Sequence, residues 1–238
     1  MEDKKVAIIT GGNSGIGYGI AQSLLKEGYC VAISSRSLQR AGEAATRLGA
    51  NAQQDRILAL EVDVRSFESQ QAAVEKVLAQ WGRIDVFIAN AGVGHFDNVE
   101  NLTLDQWHET IDTNLTGPFY SIKASLEALK NSKGYYITIS SLAGTNFFEG
   151  ASAYNASKFG VTGFTQAVML DLRKHGIRVT TIMPGSVATA FNHHQVNEND
   201  SWKIQIEDIG ELVANILKMN SRSLPSKIEI RPSMPPQK

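Results

Sequence analysis

The sequence predicts an α/β protein: a single doubly wound domain whose parallel sheet has seven strands and helices on both faces. Three observations carry this. Seven short apolar, β-branched runs recur along the chain, longer amphipathic stretches separate them, and a glycine-rich turn follows the first run. Strands buried on both faces read as near-continuous apolar runs rather than as alternating ones. Their alternation with helices calls for parallel pairing through right-handed crossovers.

In chain order the strand runs are "KVAIIT", "CVAISS", "RILALEV", "DVFIAN", "YYITIS", "RVTTIM" and "KIEIRP". Each is too short to be a helix. Between them lie stretches that include "GYGIAQSLLKEG", "SFESQQAAVEKVLAQWG", "LDQWHETIDTNLTGPFYSIKASLEALKN" and "ASKFGVTGFTQAVMLDLRKHG". Several close on Gly after Lys, Glu or His, the expected helix stop. The segment from about 190 to 207, "AFNHHQVNENDSWKIQIE", is polar with few periodic apolar positions. It is expected to be a loop over the crevice beyond the carboxyl ends of the strands, where such a sheet binds its ligand. The last strand and a Pro-rich tail occupy about 226–238, and no linker divides the chain, so one domain over 1–238 is expected.

Composition excludes several classes of function. The chain has 238 residues, 42% of them hydrophobic and 20% charged, as soluble globular proteins do. Its net charge of −1 carries neither a nucleic-acid footprint nor a membrane-seeking surface. No apolar run approaches the ~18 residues that span a bilayer. The charged start "MEDKKVAIIT" does not read as a signal peptide, so a cytoplasmic protein is expected. Cys30 is the single cysteine, which rules out an internal disulfide and reads as a small buried residue. His193 and His194 are adjacent, lack helical ligand spacing and have no evident carboxylate partner; they read as solvated loop residues, and no metal is expected.

The turn "TGGNSGIG" spans Thr10 to Gly17 and opens the first helix. Small residues suit a backbone that must turn sharply and approach a pyrophosphate closely, with free N–H groups at the helix start. A plain strand-to-helix turn is the alternative; the position at the first strand favours a phosphate cradle. About twenty residues on, where the adenosine ribose is read, the second strand ends "ISSRS". An acidic residue there would take the ribose 2′-hydroxyl, but this chain has Ser34, Ser35 and Arg36. A guanidinium pairs with a 2′-phosphate in forked geometry and a serine adds no repulsion. The placement favours NADP(H), with NAD(H) as the second cofactor; a solvated surface arginine is the alternative.

With these residues in view, the chain resembles the short-chain dehydrogenase/reductase family over essentially its whole length. The motifs are "TGGNSGIG", "VDV" at 62–64, "ANAG" at 89–92, Asn114 in "TNLTG", Ser141 in "ISSLAG", "YNASK" at 154–158 and "PGSVAT" at 184–189. Ser141 lies thirteen residues before Tyr154, the family's spacing. The resemblance implies a Rossmann-type NAD(P)-binding domain. By it, Thr10, Gly11, Asn13, Ser14, Gly15, Ile16 and Gly17 would hold the pyrophosphate and adenosine ribose, with Ser35 and Arg36 at the 2′ position. Asp63 and Val64 would contact the adenine, while Asn90, Ala91 and Gly92 would line the cofactor. Pro184, Gly185, Val187 and Thr189 would meet the nicotinamide and phosphates. Asn114, Ser141, Tyr154 and Lys158 would form the catalytic set.

Tyr154 and Lys158 are four residues apart, on one helical face. Moving a hydride between a nicotinamide and a carbonyl or secondary alcohol requires a proton at the oxygen, and a phenol with a pKa of ~10 is poorly matched to neutral pH. An ammonium at roughly 6 Å, in an effective dielectric of about 20, would stabilise the phenolate by about 2.8 kcal/mol and bring the tyrosine to about 8. The positive charge of an oxidised nicotinamide would push the same way. By resemblance Lys158 also meets the nicotinamide ribose hydroxyls. Ser141 would donate to the substrate oxygen as charge develops there. Asn114, a mediocre helix former, would bend its helix and hold a water linking Lys158 to solvent.

Two departures from the family pattern bear on substrate and assembly. Ala89 replaces the first Asn of the usual Asn-Asn-Ala-Gly, a mild change. The tail "LPSKIEIRPSMPPQK" lacks the Thr-Gly and Val-Asp-Gly-Gly segments of typical 3-oxoacyl-acyl-carrier-protein reductases, which weakens a fatty-acid-synthesis role and a tetramer. By resemblance the helices around 104–131 and 152–175 remain the subunit contact of a homodimer or homotetramer. His95, Phe96, "NFFEG" at 146–150 and the loop beyond Thr189 would wall the substrate, and Phe147 and Phe148 point to a partly apolar carbonyl compound. A 3-oxoacyl thioester is the narrower reading, although no basic cluster marks a carrier-protein site. The competing class is an NADP(H)-binding sensor or scaffold with vestigial catalysis; the complete Asn114, Ser141, Tyr154 and Lys158 set argues against it.

Overall fold

The computed structural model describes residues 4–50 and 54–234. All seven predicted runs form strands: β1 Val6–Ile9, β2 Cys30–Ser35, β3 Ile57–Glu61, β4 Val86–Ala89, β5 Tyr135–Ile139, β6 Arg178–Pro184 and β7 Lys227–Ile230. They pair in parallel in the order β3-β2-β1-β4-β5-β6-β7. Strand order reverses between β1 and β4, which opens the crevice where a doubly wound sheet receives its ligand. The central strands are buried along their length, as in Tyr135–Ile139, so both faces of the sheet are covered. β7, at the edge, turns Lys227 and Glu229 outward, charges that discourage pairing with another chain.

Helices alternate with the strands: α1 Gly15–Lys26, α2 Leu38–Gly49, α3 Phe67–Trp81, α4 Leu104–Ile111, α5 Gly117–Ser132, α6 Ser152–Leu172 and α7 Ile206–Lys218. One core layer joins Ile9, Ile33, Ile88 and Ile137 of the sheet to Ile20 and Leu24 of α1 and Val213 of α7. The other joins Ile8, Phe87, Tyr136 and Val179 to Val74 of α3 and Leu129 of α5. α1 and α7 touch through glycine: a side chain at Gly19 would collide with the Ile206 backbone, and one at Gly210 with Gly19.

Neither α2 nor α7 is among the stretches singled out from sequence. The Ser37 hydroxyl caps α2 by accepting the Arg40 N–H, and the Asp208 carboxylate accepts the Gln205 N–H at 2.7 Å where α7 begins. The stretch expected to be helical over 104–131 is interrupted where the resemblance placed a bend, and the five residues Asp112–Thr116, Asn114 among them, form a π-helical turn. Pro118 follows it and has no N–H to give the carbonyl one α-turn back, at Asn114. The wide turn accommodates that missing bond.

The segment 190–207 is irregular up to α7, with short 3-10 turns at Phe191–His193 and Glu198–Asp200. It is tethered by a parallel bridge between Val187 and Ile204. The last residues of the Pro-rich tail, 235–238, lie outside the described residues. Among the described residues no helix is long and apolar enough to cross a membrane.

Candidate active site

The glycine turn forms the floor of the crevice. Gly11 and Gly15 have φ of +63° and +55°, the left-handed region that favours glycine. A Cβ on Gly17 would run into the Asn90 amide and the Gly11 carbonyl, so only glycine fits there. Thr10 and Asn90 clamp the turn to the sheet. The Thr10 hydroxyl accepts the N–H groups of Asn90 and Ala91 at 3.0 and 3.1 Å, and the Asn90 amide donates to the carbonyls of Thr10 and Gly11 at 2.8 and 3.2 Å. Asn90 therefore shapes the cradle. At the start of α1 the Ser14 side chain makes no capping bond and the first turn carries no acidic residue. Its positive dipole end faces the crevice uncompensated. Thr189 leans over the same turn, its methyl 3.4 Å from where a Gly15 side chain would begin. Gly185 and Ala188 hold the "PGSVAT" segment by donating to Ile230 and Ile204 at 2.8 and 2.9 Å. These features fit a dinucleotide pyrophosphate.

Beside the cradle, just past the end of β3, Val64 is buried and packs against Gly117. The Asp63 carboxylate is clasped by Arg65 through bonds of 2.7 and 2.9 Å, which holds it below the usual carboxylate range. Ser35 accepts the Ser37 N–H at 3.3 Å. Arg36 reaches from the end of β2 to α4, where Nη1 lies 3.2 Å from Glu109 Oε1. The other oxygen of Glu109 meets His95 Nε2 at 2.9 Å.

The four expected catalytic residues converge at the carboxyl ends of β4 and β5. Lys158 is buried; its ammonium donates to the Ile139 carbonyl at 3.1 Å and lies 5.6 Å from the centre of the Tyr154 ring. Loss of hydration lowers its pKa to about 8. Ser141 begins the 3-10 turn Leu142–Gly144, and its hydroxyl accepts the Ala143 N–H at 3.1 Å. It also stands beside the Tyr154 phenol, where it favours the ionised form. The expectation that Lys158 draws Tyr154 down to about 8 is not met. Burial raises the phenol pKa, and Ser141 offsets this only in part. Lys158 is buried and Tyr154 half-buried, and loss of water disfavours the charged form of each.

Asn114 sits in the π-helical turn and is buried. Its amide accepts the Val93 N–H at 2.9 Å and donates to the Val93 carbonyl at 2.8 Å and the Ser157 hydroxyl at 3.0 Å. Both side-chain donors are spent on fixing the strand end to α6. Its backbone carbonyl lacks the usual partner four residues on, because residue 118 is proline.

An aromatic wall covers Tyr154. Phe96 lies 5.1 Å and Phe191 5.8 Å from its ring centre, and Phe148 stacks on Phe96 at 6.1 Å. Phe147 is 86% exposed and stands outside this wall, contrary to the expectation for "NFFEG". His194 is also corrected: it is half-buried and pairs with the buried carboxylate of Asp200 at 2.7 Å, which Lys203 holds from the other side. Lys203, with His194 second, holds Asp200 well below the usual carboxylate range. The His193 side chain lies outside the described residues. Glu109, Phe191 and Asp200 were not singled out from sequence. Each meets its partners across a loop or between elements, where spacing leaves no mark.

With this geometry in hand, the chain was compared with known proteins. Residues 5–200 match the family described as short chain dehydrogenase. A trans-4-hydroxycyclohexanecarboxylate dehydrogenase of Sinomonas cyclohexanicum is 37% identical over 190 residues, 78% of this chain and 73% of the relative. The alcohol dehydrogenase of the archaeon Thermococcus sibiricus, solved with 5-hydroxy-NADP, superposes with a TM-score of 0.90 at 28% identity, covering 99% of this chain and 100% of that one. The 3-ketoacyl-(acyl-carrier-protein) reductase of Brucella melitensis, solved with NADH, superposes with a TM-score of 0.88 at 25% identity, covering 96% and 97%. The glycine cradle, the residues gathered around Tyr154 and these matches lead to one conclusion: the chain belongs to the short-chain dehydrogenase family of oxidoreductases.

Proposed function

We propose that this protein is an NADP(H)-dependent carbonyl reductase, reversible as a secondary-alcohol dehydrogenase, with Tyr154 as its general acid and base. The carrying observation is the buried Lys158 ammonium 5.6 Å from the centre of the Tyr154 ring, with Ser141 beside the phenol and Lys158 next to Gly92 at the end of β4. A bound nicotinamide supplies the hydride for reduction and accepts it for oxidation. Burial keeps Tyr154 protonated at neutral pH, the form that delivers a proton to a carbonyl oxygen. Ser141 donates to the same oxygen, and Lys158 steadies the negative charge left on the phenol. Proton resupply would run from a water held near Asn114 through Lys158 to the phenol.

Arg36 and Ser35 support NADP(H) over NAD(H), as does the 5-hydroxy-NADP bound to the Thermococcus enzyme; the NADH of the Brucella reductase supports NAD(H) as the second cofactor. Phe96, Phe148 and Phe191 support a ketone or alcohol with an apolar flank. The Sinomonas relative, named for a ring-borne hydroxyl, agrees with this, and a 3-oxoacyl thioester is the narrower variant. Phe119, Phe159 and Leu170 are exposed on α5 and α6, which supports assembly of a homodimer or homotetramer.

The test is NADPH oxidation against a panel of ketones, aldehydes and 3-oxoacyl thioesters. Turnover that favours apolar ketones supports the proposal. Tight NADPH binding with no turnover across the panel would replace it with the sensor reading.

A further inference from the structure

We propose that Glu109 is a built-in competitor for Arg36, occupying the guanidinium until a 2′-phosphate displaces it and so setting how strongly the protein discriminates NADP(H) from NAD(H). The inference rests on the reading that Arg36 serves the 2′ position.

Arg36 and Arg65 both stand at this end of the crevice, and their ties differ. Arg65 clasps Asp63, its neighbour two residues away, through bonds of 2.7 and 2.9 Å. Arg36 is joined to Glu109, 73 residues away, by one bond of 3.2 Å, and its side chain is 59% exposed. The single long-range bond is the one that yields. A phosphate monoester carries close to two charges at neutral pH and accepts a forked pair from arginine, whereas Glu109 offers one charge and one oxygen.

Glu109 can release Arg36 without being stranded. Its second oxygen remains on His95 at 2.9 Å, and both side chains keep partial access to water. A carboxylate with no second partner would resist the exchange, because an unpaired charge would be left behind. Glu109 stands on α4, away from the end of β2 whose Ser35 and Arg36 carry the cofactor preference.

The test is calorimetric titration of the cofactor-free protein with 2′,5′-ADP and with 5′-AMP, in the parent, Glu109→Gln, Arg36→Met and the double variant. Removing a competing exposed ion pair should tighten 2′,5′-ADP about two- to fivefold. Affinity for 5′-AMP should stay nearly constant. The gain should vanish in the Arg36→Met background, where no guanidinium remains to be freed. Glu109→Gln that leaves 2′,5′-ADP unchanged, weakens it, or tightens both ligands equally overturns the competitor. If Arg36→Met fails to weaken 2′,5′-ADP, the cofactor reading falls and the competitor falls with it. If Arg36→Met weakens it while Glu109→Gln is silent, only the competitor falls.

Discussion

The Lys158 ammonium lies 5.6 Å from the centre of the Tyr154 ring while bonded to the Ile139 carbonyl in a buried pocket. The pair is close enough to interact, and burial works against the charged form of each. Burial raises the phenol and lowers the ammonium to about 8, opposite shifts with one cause. Tyr154→Phe keeps the ring that packs on Phe96 and Phe191 and removes only the proton donor. Turnover should fall about 10²- to 10⁴-fold, the usual worth of a positioned acid or base. Affinity for NADPH, read by protein fluorescence, should be nearly unchanged. Turnover close to the parent's would remove Tyr154 from the chemistry.

The same burial makes Lys158 a cost to folding. Its folded pKa of about 8 lies below the ordinary lysine value of 10.5, so between these the unfolded chain holds more protons than the native one. Stability then rises with pH through that window, and the penalty is fully present below pH 8. A gap of this size corresponds to about 3 kcal/mol. Lys158→Met should therefore be inactive yet melt higher than the parent at pH 7, with the difference shrinking towards pH 10. Chemical denaturation across that range is the measurement, and a variant less stable at pH 7 would contradict it.

Much of this was legible from the sequence, for identifiable reasons. The strands stood out because burial on both faces leaves uninterrupted β-branched runs such as "VAII" and "YITI". α2 was not singled out because three of its four buried residues are Ala41, Ala44 and Ala45, a faint stripe. The break around Asn114 escaped a periodicity argument, since apolar spacing does not register the N–H that Pro118 lacks. Motif order placed Ser141, Tyr154 and Lys158. It carried no information about the dryness of their pocket, which depends on packing from the whole sheet. Pairings such as Arg36 with Glu109 and His194 with Asp200 arise only when distant segments meet.

Phe96 touches Tyr154, Phe148 and Phe191 at once and is 37% exposed towards the crevice. Phe96→Ala should open the wall without touching a proton donor. For a bulky apolar ketone, kcat/KM should fall roughly tenfold, most of it in KM, as expected for the loss of partial apolar contact. For acetone-sized substrates the change should be small. Equal losses for both would point to a misplaced Tyr154 rather than to substrate contact.

Asp200 joins His194 and Lys203 inside the loop that follows Thr189, and it also accepts the Asn197 N–H at 3.1 Å. Its carboxyl is held well below the usual range, chiefly by Lys203. A depressed carboxylate lends support that is complete above its unfolded pKa and is lost as the pH falls through the folded one. The loop should therefore keep its shape from neutral pH down to about 5, above the usual Asp value of ~3.9. Asp200→Asn removes the charge at every pH and leaves Lys203 facing His194 unbalanced. Hydrogen exchange across 190–205 should quicken in this variant, with KM rising several-fold and kcat moving less, since Ser141, Tyr154 and Lys158 stand on other elements. Exchange as slow as the parent's would show that the bridge between Val187 and Ile204 holds the loop without help from the charge cluster.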